Sequence, residues 1–288
     1  MKYNSRFAIG LAILAAILYA INIPFSKVLL NSAPPTMMAA FLYLGAGIGM
    51  GTMMVARRQS RFKGREANLV RADLPFVVAM VVLDIAAPIL LMVGLKHTIA
   101  ANVSLLNNFE IVATALIAMV FFHEKVGKTL WMAIGFVTSA CMLLTVETDG
   151  ALSFSIGSLL VIGATVCWGL ENNCTRQIAD KDPMQIVTIK GFGSGLGAFI
   201  IALAVGESLP NLSTLLLIAM LGFVSYGLSI YVYTYAQRGI GAAKTSTYYA
   251  VAPFVGALLS IVFLGEQITP IFIVALVLMG IGAWLATK

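Results

Sequence analysis

The chain has 288 residues, 60% of them apolar and only 10% charged, with a net charge of +6. Soluble domains carry roughly 25% charged residues. The composition therefore excludes a soluble enzyme or a soluble nucleic-acid-binding domain, and an all-α integral membrane protein is expected.

In chain order, the apolar runs predict ten transmembrane helices, at about 7–29, 36–56, 74–95, 99–122, 129–146, 153–176, 184–205, 212–235, 241–264 and 270–286. Met1 to Arg6 and the apolar run behind it resemble a signal peptide. They read as a retained first helix, since nothing exportable follows. Pro34-Pro35 separates the first two helices. The basic loop with Arg57, Arg58, Arg61, Lys63, Arg65 and Arg71 separates the second from the third. With that loop in the cytoplasm, Lys2, Arg6, Lys125, Lys128, Arg176, Lys181, Arg238 and Lys288 lie there too, while Glu147–Gly150 and Glu207 fall outside. Positive charge then marks the cytoplasmic side, and both termini are cytoplasmic. The expected location is the cell (inner) membrane. Cys141, Cys167 and Cys174 all lie inside apolar runs and have neither metal nor disulfide spacing.

The segment from Lys96 to Val126 occurs again from Arg238 to Ile268, at an offset of 266 − 124 = 142. Ala100, Ala101, Ser104, Ala115, Leu116, Val120, Phe121 and Glu124 fall on Ala242, Ala243, Ser246, Ala257, Leu258, Val262, Phe263 and Glu266. Two weaker matches accompany it. Gly45, Gly47, Gly49 and Gly51 correspond to Gly191, Gly193, Gly195 and Gly197, and Tyr19–Lys27 corresponds to Trp168–Arg176. Five helices per half make the second half enter from the opposite side. The expectation is two inverted five-helix repeats, 1–150 and 151–288, a pattern of many secondary transporters.

These segments, with Trp168-Gly169, resemble the drug/metabolite transporter superfamily and its EamA-type ten-helix transporters. Ala242, Ala243, Pro253 and Glu266 follow that family's pattern in the ninth helix. The fourth departs from it, with Ile111 where Pro253 stands and Glu110 beside it. The resemblance implies export or import of a small organic metabolite, such as an amino acid or amine, through a central cavity by alternating access, with export the expected direction.

Charged groups inside a bilayer are costly and default to functional candidates. Asp84 and Glu110 lie about halfway along the third and fourth predicted helices. Ser104, Asn107, Glu110 and Thr114, at i, i+3, i+6 and i+10, form one polar stripe on the fourth helix. Such a stripe faces other helices or a wet cavity, and Asp84 and Glu110 serve either a solute or helix packing. A carboxylate at mid-membrane is disfavoured in its charged form, so Glu110 is also the candidate proton carrier. Glu171 and Lys190 lie at like depth and can pair with each other or contact solute. Asn172 and Asn173 add donors suited to an amphoteric ligand. Tyr226, Tyr231, Tyr233, Tyr235, Tyr248 and Tyr249 offer either an aromatic pocket wall or an interfacial belt. Tyr249 shares a face with Ser246 and Pro253. Lys27 and Arg176 read as snorkelling side chains. The glycine rows read as close-packing faces.

Glu124 and Glu266 end their helices, where a carboxylate opposes the helix dipole. Each therefore needs a partner, such as backbone donors of the neighbouring turn, and reads as a structural latch. His97 and His123 read as surface residues. No metal site, cofactor motif, Walker loop or nucleophile–base set stands out. The site candidates for substrate binding or coupling are thus Asp84, Ser104, Asn107, Glu110, Glu171, Asn173, Lys190, Tyr226, Ser246 and Tyr249. The expected partners are a small-molecule solute and membrane lipid, with no nucleic acid and with a homodimer left open. Two other classes compete: a polytopic membrane enzyme acting on a lipid-linked substrate, and a non-transporting membrane partner. Short loops and scattered acidic residues speak against the first, and the repeat against the second.

Overall fold

The computed structural model describes residues 5–59, 67–123, 126–147 and 153–287. Helices dominate. Val146–Glu147 and Ser153–Phe154 form a two-residue antiparallel pair, an exception to the all-α expectation that leaves the bundle unchanged. The helices are α1 (Ser5–Ala20), α2 (Asn22–Leu29), α3 (Pro35–Gln59), α4 (Leu74–His97), α5 (Ala100–Leu106), α6 (Phe109–Phe122) and α7 (Lys128–Thr145). They continue with α8 (Ile156–Arg176), α9 (Pro183–Ala204), α10 (Leu212–Gly222), α11 (Ser229–Ile240), α12 (Ala242–Tyr249), α13 (Ala252–Leu264) and α14 (Pro270–Ala286).

Among the described residues, eight helical stretches are long and apolar enough to cross a membrane. Four of them join consecutive segments: α1–α2, α5–α6, α10–α11 and α12–α13. α14 is a shorter apolar helix, and α8 carries Glu171, Asn172, Asn173 and Arg176 in its last two turns. The outer surface is apolar. Val120, Phe121, Leu216, Met220, Val262 and Phe263 are each more than half exposed, which suits hydrocarbon and would aggregate in water. Val120-Phe121 and Val262-Phe263 are repeat equivalents, and both pairs face outward.

The segment breaks have local causes. A proline cannot donate to the carbonyl four residues earlier. Pro24 thereby frees the Ala20 carbonyl at the α1–α2 junction, and Pro253 frees that of Tyr249 between α12 and α13. The fourth predicted helix breaks without a proline. At Asn107-Asn108 the backbone tightens, with Asn108, Glu110 and Ile111 each donating to the carbonyl three residues back. The Asn108 side chain also donates to the Leu105 carbonyl at 3.1 Å, competing with the helical bond. Between α10 and α11, Phe223–Leu228 widens into a π-helical turn.

α3 packs backbone against backbone on both α9 and α10. A Cβ on Gly191 would meet Gly47 N at 2.4 Å, and a Cβ on Gly47 would meet Phe192 N at 2.8 Å. α10 approaches the other side of α3, where a Cβ on Gly222 would lie 1.9 Å from the Leu42 carbonyl oxygen. The glycine rows are packing faces, as their spacing predicts. Both ends of the α3–α9 pair are tied. At one end Arg57 pairs with Asp182, whose Oδ1 accepts from Met184 N at 2.9 Å and caps α9. At the other, the Glu207 carboxylate accepts from Thr36 N and Met37 N at 3.1 and 2.6 Å. An anion there complements the α3 dipole.

Gly191→Ala should therefore lower the thermal stability of the detergent-solubilised protein, by an overpacking cost of about 1–3 kcal/mol. Gly280→Ala is the matched control, since a Cβ there meets nothing within 4 Å. Equal melting curves for the two variants would show that backbone contact between α3 and α9 is not limiting.

Candidate functional site

Buried charge converges where α4, α8 and α9 meet. Asp84, on α4, is fully buried. It stands four residues before Pro88, which leaves its carbonyl without a helical donor. Its Oδ1 accepts from the Tyr43 hydroxyl and from Trp168 Nε1, each at 3.1 Å. Its Oδ2 receives no directed hydrogen bond but lies 3.0 Å from Lys190 Nζ in an ion pair. Lys190, on α9, also reaches Glu171 Oε1 on α8 at 3.1 Å, and Glu171 accepts from Thr175 one turn on. One ammonium thus bridges two carboxylates. Asp84 joins the pair expected from Glu171 and Lys190 alone, because α4 packs along α8.

Glu110, in the first turn of α6, is the third interior carboxylate. Its Oε1 accepts from Asn172 Nδ2 at 2.6 Å, and the same amide contacts Thr114 Oγ1 at 3.3 Å. No cation lies within salt-bridge distance of Glu110 among the described residues. It is within electrostatic reach of Glu171 and Lys190, and of Tyr19, Tyr226 and Tyr249. These last three rings, with Tyr43, form a continuous wall. Centroids are 5.1 Å apart for Tyr43–Tyr226, 6.1 Å for Tyr19–Tyr226 and 5.8 Å for Tyr19–Tyr249. Tyr226 lies on the π turn and its hydroxyl accepts from Asn22 Nδ2 at 2.9 Å. The helix breaks beside Tyr19, Asn107 and Tyr249 and the π turn at Tyr226 thus all border this cluster. Non-helical backbone inside a membrane bundle is tolerated where it is buried in protein or lines a cavity. Glu110, Asn172, Tyr19 and Tyr249 keep some accessible surface, as does Lys190 at 15% of its side chain.

Several expectations need correction. Ser104, Asn107, Glu110 and Thr114 do not form one stripe, since the break at Asn107-Asn108 divides them between α5 and α6. Ser104 Oγ and Asn107 Oδ1 are buried without a hydrogen-bonding partner among the described residues. Asn173 does not offer its amide to the site. It donates to the carbonyls of Thr114 and Gly169 at 3.2 and 2.8 Å and staples α8 to α6. Ser246 is exposed and meets the Tyr233 hydroxyl at 2.8 Å, at the edge of the wall where Tyr233 packs on Tyr249. Lys27 does not snorkel. Its ammonium caps the C-terminal end of α4, donating to the Leu95 and Thr98 carbonyls at 2.7 Å each. Tyr231 and Tyr235 pack on each other with centroids 4.8 Å apart.

Glu266 is latched as expected. Its carboxylate accepts from Ala100 N and Ala101 N at 2.6 and 2.8 Å, capping α5. Its counterpart Glu124 lies outside the described residues. His97 and His123 are exposed. Sequence reasoning missed Tyr19, Asn22, Tyr43 and Trp168. Tyr19, Asn22 and Trp168 fall inside the weak repeat match Tyr19–Lys27 and Trp168–Arg176, which was the available signal.

A bundle of apolar-faced helices around interior charges, with several helices broken at one place, is the architecture of a multi-pass membrane protein. The comparisons agree. The model of the EamA-like transporter family matches residues 6–146 and 155–288, so this chain belongs to that family. An uncharacterized transporter of Methanothermobacter thermautotrophicus is 25% identical over 88% of this chain and 78% of its own length. The uncharacterized inner membrane transporter YedA of Escherichia coli K12 is 24% identical over 88% and 84%. The uncharacterized transporter YyaM of Bacillus subtilis is 26% identical over 59% of each chain. A solved crystal structure matches at a TM-score of 0.69, covering 97% of this chain and 95% of that one at 17% identity, which supports the fold. The chain is a transporter rather than an enzyme.

Removing one partner of a buried ion pair costs about 3–5 kcal/mol. Lys190→Met should therefore destabilise the protein strongly in detergent, leaving Asp84 and Glu171 without their cation. Adding Asp84→Asn should recover part of that loss. Thermal unfolding of the single and double variants tests the coupling, and strictly additive losses would refute it.

Proposed function

We propose that the protein is a secondary-active transporter of a small organic solute, working by alternating access in the cell membrane. The reading rests above all on one observation. Three carboxylates, one ammonium and a tyrosine wall converge at the place where several helices are interrupted. Asp84, Glu110, Lys190, Tyr226 and Tyr249 border the solute space, with Glu171 fixing Lys190. Ser104 and Asn107 border it from α5 and its end.

In this reading the chain crosses the membrane ten times, with α8 and α14 completing the eight apolar stretches, and residues 1–150 and 151–288 are inverted repeats. The packing supports this. Exchanging the halves maps the α3–α9 and α7–α14 contacts onto themselves and the α4–α8 contact onto α1–α11. Both termini are cytoplasmic. In a cysteine-free background, Asn68→Cys should be shielded from an impermeant thiol reagent in intact cells and Ser208→Cys should react. Both residues are exposed. The reverse pattern would invert the orientation.

Glu110 is the coupling residue. A carboxylate without a cation partner inside a bundle holds either a proton or a donor group of the solute. Exchange of one for the other lets inward proton flow drive export. Glu171 and Lys190 flank it and hold each other's charge, leaving Glu110 the group free to change state. Glu110→Gln should keep the wild-type melting temperature and lose pH-gradient-driven flux at least tenfold in proteoliposomes screened with amines and amino acids. Full gradient-driven accumulation by that variant would move the coupling role to Asp84.

A further inference from the structure

We propose that the solute is a monovalent organic ammonium with an apolar or aromatic body, rather than an amino acid zwitterion or an organic anion. This inference rests on the transporter reading of the same site and narrows its substrate class.

The first argument is charge. Asp84, Glu171 and Glu110 stand against one interior cation, Lys190, and that ammonium is already held between Asp84 and Glu171 at 3.0 and 3.1 Å. A zwitterion or anion brings a carboxylate that needs a cation or free donors. The nearest cation is occupied, and the Asn173 amide is spent on backbone carbonyls. Of the two amides on this part of α8, Asn172 already serves Glu110. A ligand's carboxylate would meet like charge.

The second argument is hydrogen-bonding capacity. The site has acceptors to spare. Asp84 Oδ2 receives no directed hydrogen bond and meets only the shared Lys190 ammonium, and the Glu110 carboxylate receives only the Asn172 amide among the described residues. Spare acceptors call for a ligand rich in N–H donors, and an ammonium supplies them.

The third argument is the wall. Tyr19, Tyr226 and Tyr249 lie within electrostatic reach of Glu110, and aromatic faces attract cations. Their ring spacings of 5.8 and 6.1 Å, extended through Tyr43, form one surface that suits the apolar body of such a ligand. Trp168 lies at the far end of this surface, bonded to Asp84.

Three ligands of one shape test the proposal: phenethylamine, phenylalanine and 3-phenylpropionate. Trp131 and Trp284 are exposed, so Trp131→Phe and Trp284→Phe leave Trp168 as the fluorescence reporter in the intact purified protein. Phenethylamine should bind saturably and at least tenfold more tightly than phenylalanine, with 3-phenylpropionate weaker still. Glu110→Gln and Tyr19→Leu should each weaken phenethylamine at least tenfold, and Tyr19→Phe should retain most of the affinity. Melting temperatures of the variants separate lost binding from lost folding. Equal or tighter binding of phenylalanine, or no saturable phenethylamine signal by fluorescence or by radioligand binding, overturns the proposal. Flux in proteoliposomes separates it from the transporter reading. Transport of phenylalanine without phenethylamine sinks the ammonium assignment and keeps the transporter. Phenethylamine binding without flux of any of the three keeps the ammonium site and counts against transport.

Discussion

The constraint on which the interior depends is the cost of burying charge. Asp84 sits on a helix with no accessible surface, and an ion moved from water into such a place loses several kcal/mol of solvation. Lys190 offsets that loss twice over, by holding Asp84 and Glu171 together, while Tyr43 and Trp168 serve the remaining oxygen of Asp84. The consequence is architectural. α4, α8 and α9 cannot separate at this level without stranding a charge, so the cluster fixes their relative depth. Around that fixed point the chain can tolerate unusual backbone, including the break at Asn107-Asn108 and the π turn at Tyr226.

The α3–α9 contact is the second constraint. Gly47 and Gly191 bring two backbones together without side chains between them, and the ends are tied by Arg57–Asp182 and by Glu207 on Thr36 and Met37. Lys190 is carried on α9 and Tyr43 on α3, so both reach Asp84 from this pair. This close-packed pair and the charge cluster therefore share a scaffold. The proposed alternation of access is easier to place elsewhere, in the segmented helices α1–α2, α5–α6 and α12–α13, whose junctions have already given up part of their helical hydrogen bonding.

Much of this was legible in the sequence because it depends on spacing and polarity. Apolar runs located the helices. A carboxylate at a helix C-terminus marked Glu266 for a backbone partner, and the glycine rows marked the close-packed faces. The rest depended on which helices become neighbours. Nothing local to Asp84 says that Lys190 will face it, and nothing local to Trp168 says that its indole will donate to Asp84. The polar stripe failed for a different reason. A continuous 3.6-residue period was assumed through Asn107-Asn108, where the Asn108 side chain competes for the Leu105 carbonyl and the helix breaks without the proline found in the equivalent segment. Lys27 was misread because an ammonium near a helix end can turn to water or to the open carbonyls of a neighbouring helix, and only the placement of α4 decides between them.

That last case extends to the corner between α4 and α5. The end of α4 presents unpaired carbonyls and the start of α5 presents unpaired N–H groups, so two opposite partial charges lie within a few residues of each other. Lys27 answers the first and Glu266 the second. Neither side chain belongs to the corner. Lys27 comes from α2, and Glu266 follows α13, in the other proposed repeat. The corner is therefore held by two elements that must stay together for both caps to persist. Separating α13 from α5 would expose the α5 amides and the Glu266 carboxylate together. In water both can be hydrated, so the cost of opening depends on whether water enters as they part. This makes the latch a contact that is stable when dry and readily exchanged when wet. In the proposed alternating-access cycle, that property would let the same contact close the pathway in one state and be released in the other.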